Sequence, residues 1–253
     1  MNEIEELVSF FCTHLVPIEM TYEIQGEQQT TTYTAFVISV GDQWFLLTAG
    51  HCLEEADRVL SQGHRIVSCR LIDTLGLKAI DNHPIPFPYD STKVHYYYQE
   101  GDFDYGLIPL TAYFKELLER NNVKPLTEEV WKKQPSSPEM HVLLGIPAEL
   151  TQQDTNGYSL APTVFIVQEL DQRPASLSDT EYPHFYGRLL SPVSDFDIRG
   201  MSGGPIFAIQ HDQEGRPKYW IVALQSSWNR GTHEIKACPV QPFGLFLEEI
   251  TKR

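Results

Sequence analysis

Basic residues are scarce in this chain. Only 19 Lys and Arg stand against 34 Asp and Glu, which leaves a formal charge of −15 and a pI near 4.9 over 253 residues. A field of that sign repels phosphate backbones and argues against nucleic acid as the main partner. Cysteine is scarce too. Cys12, Cys52, Cys69 and Cys238 are scattered with no C-x-x-C pair, so neither a zinc knuckle nor a dense disulfide framework is signalled, and reduced thiols are expected. Long apolar runs are missing: no stretch approaches the roughly 18–20 residues needed to span a bilayer. The first six residues, Met1-Asn2-Glu3-Ile4-Glu5-Glu6, are acidic where a secretory signal is basic, and no long apolar segment follows. The chain therefore reads as cytoplasmic, with no membrane partner, and nothing in it calls for a metal or a cofactor.

What is present can build a core. Hydrophobic residues make up 42% and aromatics 11%, which excludes a disordered chain. A length of this order allows one to two domains, and β-barrel proteins of about 250 residues often form a single unit. No internal repeat or low-complexity tract is visible.

Residues 3–15 place Ile4, Leu7, Val8, Phe11 and Leu15 at helical spacing. After Pro17 the pattern turns to short strands. Residues 30–33, 35–40 and 44–48 lead, with Gly41-Asp42-Gln43 reading as a hairpin turn between the last two. Further strands are expected at 65–72, 94–98, 105–110, 140–144, 163–168, 185–189, 205–209 and 220–225. Residues 111–121 are strongly helical, 127–133 add another turn or two, and 134–138 read as a linker. The tail 243–252 is an amphipathic helix starting just after Pro242. Many short strands with Gly/Pro turns suggest a sandwich or barrels.

Three segments carry chemistry. In Gly200-Met201-Ser202-Gly203-Gly204-Pro205, glycines let a serine turn tightly and keep bulk away from an incoming carbonyl. The alternative is a Gly-rich turn with an incidental serine. In Thr48-Ala49-Gly50-His51-Cys52, a histidine leaves a buried strand among small residues, where an ordinary pKa near 6.5 suits general-base work. The alternative is a structural or exposed histidine. In Gly101-Asp102-Phe103-Asp104-Tyr105-Gly106-Leu107, an acid entering an apolar strand needs a hydrogen-bond partner, and an imidazole N–H is one. A solvated loop acid fits Asp102 better than Asp104.

The order is His, Asp, Ser, with 53 residues from His51 to Asp104 and 98 from Asp104 to Ser202. Together the three segments resemble the chymotrypsin-like (trypsin-fold) serine proteases, and Val222-Ala223-Leu224-Gln225-Ser226 is similar to the strand that flanks the substrate backbone in that family. The resemblance spans roughly residues 20–250. It implies an all-β fold with a few helices: two six-stranded antiparallel β-barrels with the active site in the cleft between them, flanked by N- and C-terminal helices. The corresponding segments are 1–16 (N-terminal helix), 17–110 (first barrel), 111–138 (helical linker), 139–241 (second barrel) and 242–253 (C-terminal helix). It also implies that Ser202 is the nucleophile, His51 the general base and Asp104 its orienting acid, with the amides of Gly200 and Ser202 holding the oxyanion. For substrate binding it points to Phe196, flanked by Asp195 and Asp197 (one register shift would change the preference from apolar to basic), with Ser226, Ser227 and Trp228 at the pocket edge.

Two features depart from the secreted members. Met201 stands where they carry the acid that pairs with a newly released N-terminus, so trypsin-style activation has nothing to act on. Cys52 has no partner cysteine in Thr34-Ala35-Phe36. Both departures resemble HtrA-type and other bacterial members, although no PDZ domain has room here. The expected function is a serine endopeptidase acting on proteins or peptides, restrained by narrow specificity or a regulatory protein partner. The alternative is a catalytically silent module of the same fold that binds a peptide or partner. The stretch 200–204 also fits the G-x-S-x-G elbow of α/β-hydrolases, but that fold needs a helix after the serine, and Pro205-Ile206-Phe207-Ala208-Ile209 reads as a strand.

Overall fold

A computed structural model of the chain describes residues 3–76, 79–80, 82–98, 102–135, 137–154, 157–190 and 197–252. The N-terminal half contains α1 (Glu3–Phe11), β1 (Ile18–Ile24), β2 (Glu27–Tyr33), β3 (Phe36–Val40), β4 (Gln43–Thr48), α2 (Gly50–Ser61), β5 (Arg65–Leu71), β6 (Ile85–Pro86), β7 (His95–Tyr98) and β8 (Asp104–Pro109). Two helices, α3 (Ala112–Arg120) and α4 (Glu128–Trp131), lead to the C-terminal half. There follow β9 (Met140–Gly145), β10 (Gln152–Asp154), β11 (Gly157–Ser159), β12 (Thr163–Glu169), β13 (Phe185–Leu190), β14 (Pro205–His211), β15 (Pro217–Asn229), β16 (Glu234–Pro239) and α5 (Val240–Thr251).

Turn chemistry fixes the first registers. Gln25 and Gly26 both take positive φ, +53° and +86°, so that Ile24 faces Glu27 across a two-residue turn. Gly41, at φ +56°, does the same for Val40 and Gln43 in the expected β3–β4 hairpin. All five residues of β3 are buried, because that strand lies inside the molecule with both faces covered.

The C-terminal half closes into a six-stranded antiparallel barrel in the order β12-β13-β16-β15-β14-β9. Leu143, Phe165, Val167, Leu189, Ile206, Ala223, Ile235 and Ala237 form one apolar cluster with Ile198 and Met201. The N-terminal half, expected as a second six-stranded barrel, is instead two four-stranded sheets, β2-β1-β5-β6 and β3-β4-β8-β7. They are stitched by the chain around Pro17. His14 O and Val16 N pair with Val37 N and Ala35 O beside one sheet, and β1 then enters the other. Proline has no N–H to donate and breaks the ladder at this corner.

Several boundaries differ from the sequence reading. The first helix ends at Phe11 rather than running on to 15: short i→i+3 bonds from Thr13 N and His14 N close it, and the Thr13 hydroxyl donates to Phe10 O at 2.7 Å. The last helix starts at Val240, before Pro242, since proline is tolerated in a first turn where its missing N–H has no intrahelical acceptor. The linker joins the two halves: α4 packs against β15 and α5 and bonds to β3. Trp131 is fully buried and its Nε1–H donates to Ser39 O at 3.0 Å. All four cysteines are unpaired and buried, and among the described residues no helix is long and apolar enough to cross a membrane.

Candidate active site

Helix α2, absent from the sequence reading, sets the position of His51. It begins directly after β4 and buries Cys52, Leu53 and Ala56 along one face, which puts His51 in its first turn. Asp104, the first residue of β8, is buried and serves that turn twice. Its Oδ1 accepts the His51 backbone N–H at 2.9 Å and its Oδ2 faces His51 Nδ1 at 2.8 Å. A carboxylate at a helix N-terminus is favoured both by the orphan N–H groups and by the helix dipole. Because a carboxylate only accepts, Nδ1 carries the proton and Nε2 is left as the basic nitrogen.

Asp104 Oδ2 also accepts the Ser226 hydroxyl, from β15, at 2.5 Å. Ser226, expected at a pocket edge, is buried and its hydroxyl is committed to Asp104. Burial works against charging His51, but the Asp104 bond and the neighbouring Cys52 sulfur outweigh it, so the imidazole is more basic than a free histidine.

Ser202 lies in the segment that enters β14. Gly200 and Gly203 flank it at φ +91° and +88°, a region that disfavours any side chain. A Cβ on Gly203 would sit 2.3 Å from Thr48 Oγ1 and 2.4 Å from Thr34 O, so the serine loop lies directly against the strand end that leads to His51. His51, Ser202 and Gly200 border one cavity of about 410 Å³, completed by Thr30, Thr31, Thr32, Tyr33, Cys52, Glu55, Ile146, Ala148 and Thr151.

The amides around Ser202 differ in whether they are already bonded. Met201 N–H, Gly203 N–H and Gly204 N–H donate to Ile198 O, Gln225 O and Met201 O, at 3.0, 2.9 and 2.8 Å. Gly200 N–H and Ser202 N–H have no acceptor among the described residues. Two such donors beside a hydroxyl can receive negative charge developing on a substrate oxygen. Met201 itself is fully buried, and its side chain packs within about 3.0 Å of the place a Cβ on Gly145 would take.

Phe196 and Asp195 lie outside the described residues. Ser227 and Trp228 are half-buried on β15 and, like Ser226, are not part of the wall of the 410 Å³ cavity. Asp197 is buried, and its carboxylate takes the Arg199 backbone N–H at 2.9 Å and Arg199 Nε at 2.7 Å, with Arg230 Nη1 at 3.8 Å. Desolvation opposes ionisation there, but these partners hold its pKa below the usual range. Its charge is already met by this chain's own arginines. The sequence reading had also not singled out Thr30–Tyr33, Glu55 or the Ile146–Thr151 loop. The threonine run signalled only a strand, and nothing local marks the other residues as cleft-facing. No cluster of three or more His, Cys, Asp or Glu able to hold a metal ion exists among the described residues.

Solved structures share this architecture over nearly the whole chain at low identity. The scabies mite inactivated protease paralogue S-I1 is 16% identical, with 97% of each chain covered and a TM-score of 0.54. The thermostable serine protease AL20 from an extremophilic microorganism is 12% identical, covering 94% of this chain and 98% of that one, with a TM-score of 0.52. Deg5 is 15% identical, covering 96% and 93%, with a TM-score of 0.50. No protein-family model and no curated protein matches the chain. With its C-terminal barrel, its two N-terminal sheets and the cleft residues between them, the chain has the chymotrypsin-like serine protease fold.

Proposed function

We propose that this protein is a serine endopeptidase in which Ser202 is the nucleophile, His51 the general base and Asp104 the residue that orients and stabilises the imidazolium. The observation that carries the reading is the pair of hydrogen bonds from His51 to Asp104, at 2.9 and 2.8 Å, with His51 and Ser202 in the wall of one cavity. Ser202 attacks the scissile carbonyl as His51 Nε2 takes its proton. The amides of Gly200 and Ser202 receive the oxyanion, His51 returns the proton to the leaving amine, and water repeats the sequence on the acyl-enzyme. One structural neighbour is named as an inactivated protease, so the fold alone does not carry the activity; the three side chains do.

Met201, buried and apolar, gives an N-terminal ammonium no acid to pair with. Competence on this reading is set at folding, and restraint falls to narrow specificity or a regulatory protein partner in the cytoplasm. The substrate is an unassigned protein or peptide.

The test is fluorophosphonate labelling of the purified chain, read by intact mass, with Ser202→Ala as control. Prompt single labelling that the substitution abolishes is expected. A folded chain that never labels would favour the silent binding module. Indiscriminate cleavage of casein by the purified chain would overturn the restraint.

A further inference from the structure

Thr34 joins β2 to β3 and is fully buried. Its side chain reaches out of the N-terminal half into the other. The hydroxyl donates to Gly200 O at 2.6 Å and accepts Ile146 N–H at 3.1 Å. Its own carbonyl accepts the Thr48 hydroxyl at 2.7 Å, which ties it to the end of β4, three residues before His51. One hydroxyl thus uses its single proton and a lone pair to fasten two loops of the C-terminal half to the strand ends of the N-terminal half.

The consequence follows from peptide geometry. In a trans peptide the C=O and N–H point in opposite directions. Arg199 O is held by Ala148 N–H at 2.7 Å, which turns Gly200 N–H the other way. Met201 O is held by Gly204 N–H at 2.8 Å, which does the same for Ser202 N–H. The plane between them is held at Gly200 O by Thr34 and at Met201 N by Ile198 O. Three consecutive peptides are therefore pinned, the outer two at their carbonyls and the middle one at both ends, leaving the Gly200 and Ser202 N–H groups without acceptors among the described residues. Of the three carbonyls, Gly200's is the one held by a side chain from the other half.

We propose that Thr34 is a positioning residue that holds the Gly200–Ser202 amides ready for the developing oxyanion, and that it does so across the junction of the two halves. In a chain with Met201 at the buried position of the loop, this clamp supplies the restraint that an ion pair would otherwise give. The proposal deepens the serine endopeptidase reading and rests on it for its catalytic consequence.

The experiment compares Thr34→Val, Thr34→Ala and Thr34→Ser with the unaltered chain, using the fluorophosphonate probe and, in parallel, amide hydrogen exchange over residues 197–204. Removing the hydroxyl is expected to lower the limiting labelling rate about tenfold or more while probe affinity changes by less than about threefold, since the lost interaction acts in the transition state. Thr34→Ser keeps the hydroxyl and is expected to recover the rate to within about threefold. Exchange at 197–204 is expected to quicken in Thr34→Val and Thr34→Ala and to stay slow in Thr34→Ser. Should Thr34→Val not fold, Thr34→Ala carries the comparison. Labelling by the folded Val and Ala variants at the original rate would overturn the proposal, as would a serine variant as slow as the valine one. If the unaltered chain does not label at all, it is the endopeptidase reading that fails. The clamp is then decided by exchange, and equal protection in all four proteins would overturn it.

Discussion

Ser226, in the C-terminal barrel, donates its hydroxyl to Asp104, in the N-terminal half, at 2.5 Å. The oxygen that receives it is the same Oδ2 that faces His51 Nδ1. A hydrogen bond to a buried carboxylate is worth roughly 1.5–3 kcal/mol. On the proposed mechanism, Ser226→Ala lowers the labelling rate of Ser202 about tenfold or more. It also leaves more negative charge on Oδ2 and so strengthens the pull on the imidazole. The pH midpoint of labelling is expected to move upward in the variant, and a midpoint unmoved or lowered would count against this account.

The His51–Asp104 pair sets a pH dependence with a definite sign. The base must be neutral to accept a proton, and burial acting against charge is outweighed by the Asp104 bond, so His51 titrates above its ordinary value. Labelling is expected to rise with pH through a midpoint above about 6.5. Asp104→Asn removes the carboxylate, lowers that midpoint and drops the rate by about 10⁴. The stability linked to the raised value has the opposite trend. It is fully present below about 6.5 and fades as pH rises through the folded-state value. Labelling profiles and denaturant midpoints across pH 5–9 check both signs.

A second histidine works in the other direction. His14 is buried, with Nδ1 donating to Lys124 O at 2.7 Å and Nε2 therefore accepting from the Tyr219 hydroxyl at 3.0 Å. Phe10, Phe11 and Phe207 pack around the same pair. Desolvation lowers its pKa to about 4, although the bond to Lys124 O resists this. The folded state keeps His14 neutral while the unfolded chain protonates it near 6.5. This stability is present above about 6.5 and is lost as pH falls towards 4, a loss of up to roughly 3 kcal/mol. His14→Phe is expected to be less stable at pH 7.5 but to lose less between pH 7.5 and 4.5, read by urea denaturation. An unchanged pH slope would refute it.

Gly244, inside α5, lies against Trp131. A Cβ there would fall 2.6 and 2.7 Å from two atoms of the buried indole ring. Helix propensity alone would favour alanine by about 1 kcal/mol. The clash is with a ring held by its Nε1–H bond to Ser39 O, and overpacking of this kind costs roughly 1–3 kcal/mol. Gly244→Ala is expected to lower the melting temperature, with the sign of the shift deciding between the two effects.

The fold class and the segments of the candidate site were legible in the sequence, while several of the elements that carry them were not. The structure brings His51, Asp104 and Ser202 together; their segments stand out in the sequence because the proposed attack on a carbonyl demands particular residue types, and glycines around the serine announce a tight turn. The elements that were missed have a common cause: they look too polar, or lie too close to a motif. β16 (EIKACP) carries Glu234 and Lys236, which lie on the face opposite the barrel-core residues Ile235 and Ala237 and are nonetheless buried, Glu234 meeting Arg188 at 2.7 Å and Lys236 reaching Ser178 at 3.3 Å. β1 alternates cleanly, yet Glu19 is buried against Arg70. No local pattern supplies those partners, which come from segments distant in sequence. Helix α2 has its apolar face at Cys52, Leu53 and Ala56, but it starts with no intervening loop after a strand, so the change of period falls within the motif itself.

Tyr105 extends the pattern of bonds that cross the middle of the molecule. It lies next to Asp104, donates to Pro239 O at 2.8 Å and stacks on Phe243 at 4.2 Å. Ser226 and Thr34 make the other crossings. The cleft is therefore a joint rather than a property of either body, and a ligand that wedges the bodies slightly apart would disarm it without touching a cleft side chain. On the proposed mechanism an inhibitor need not resemble a substrate; the seam is a target of its own.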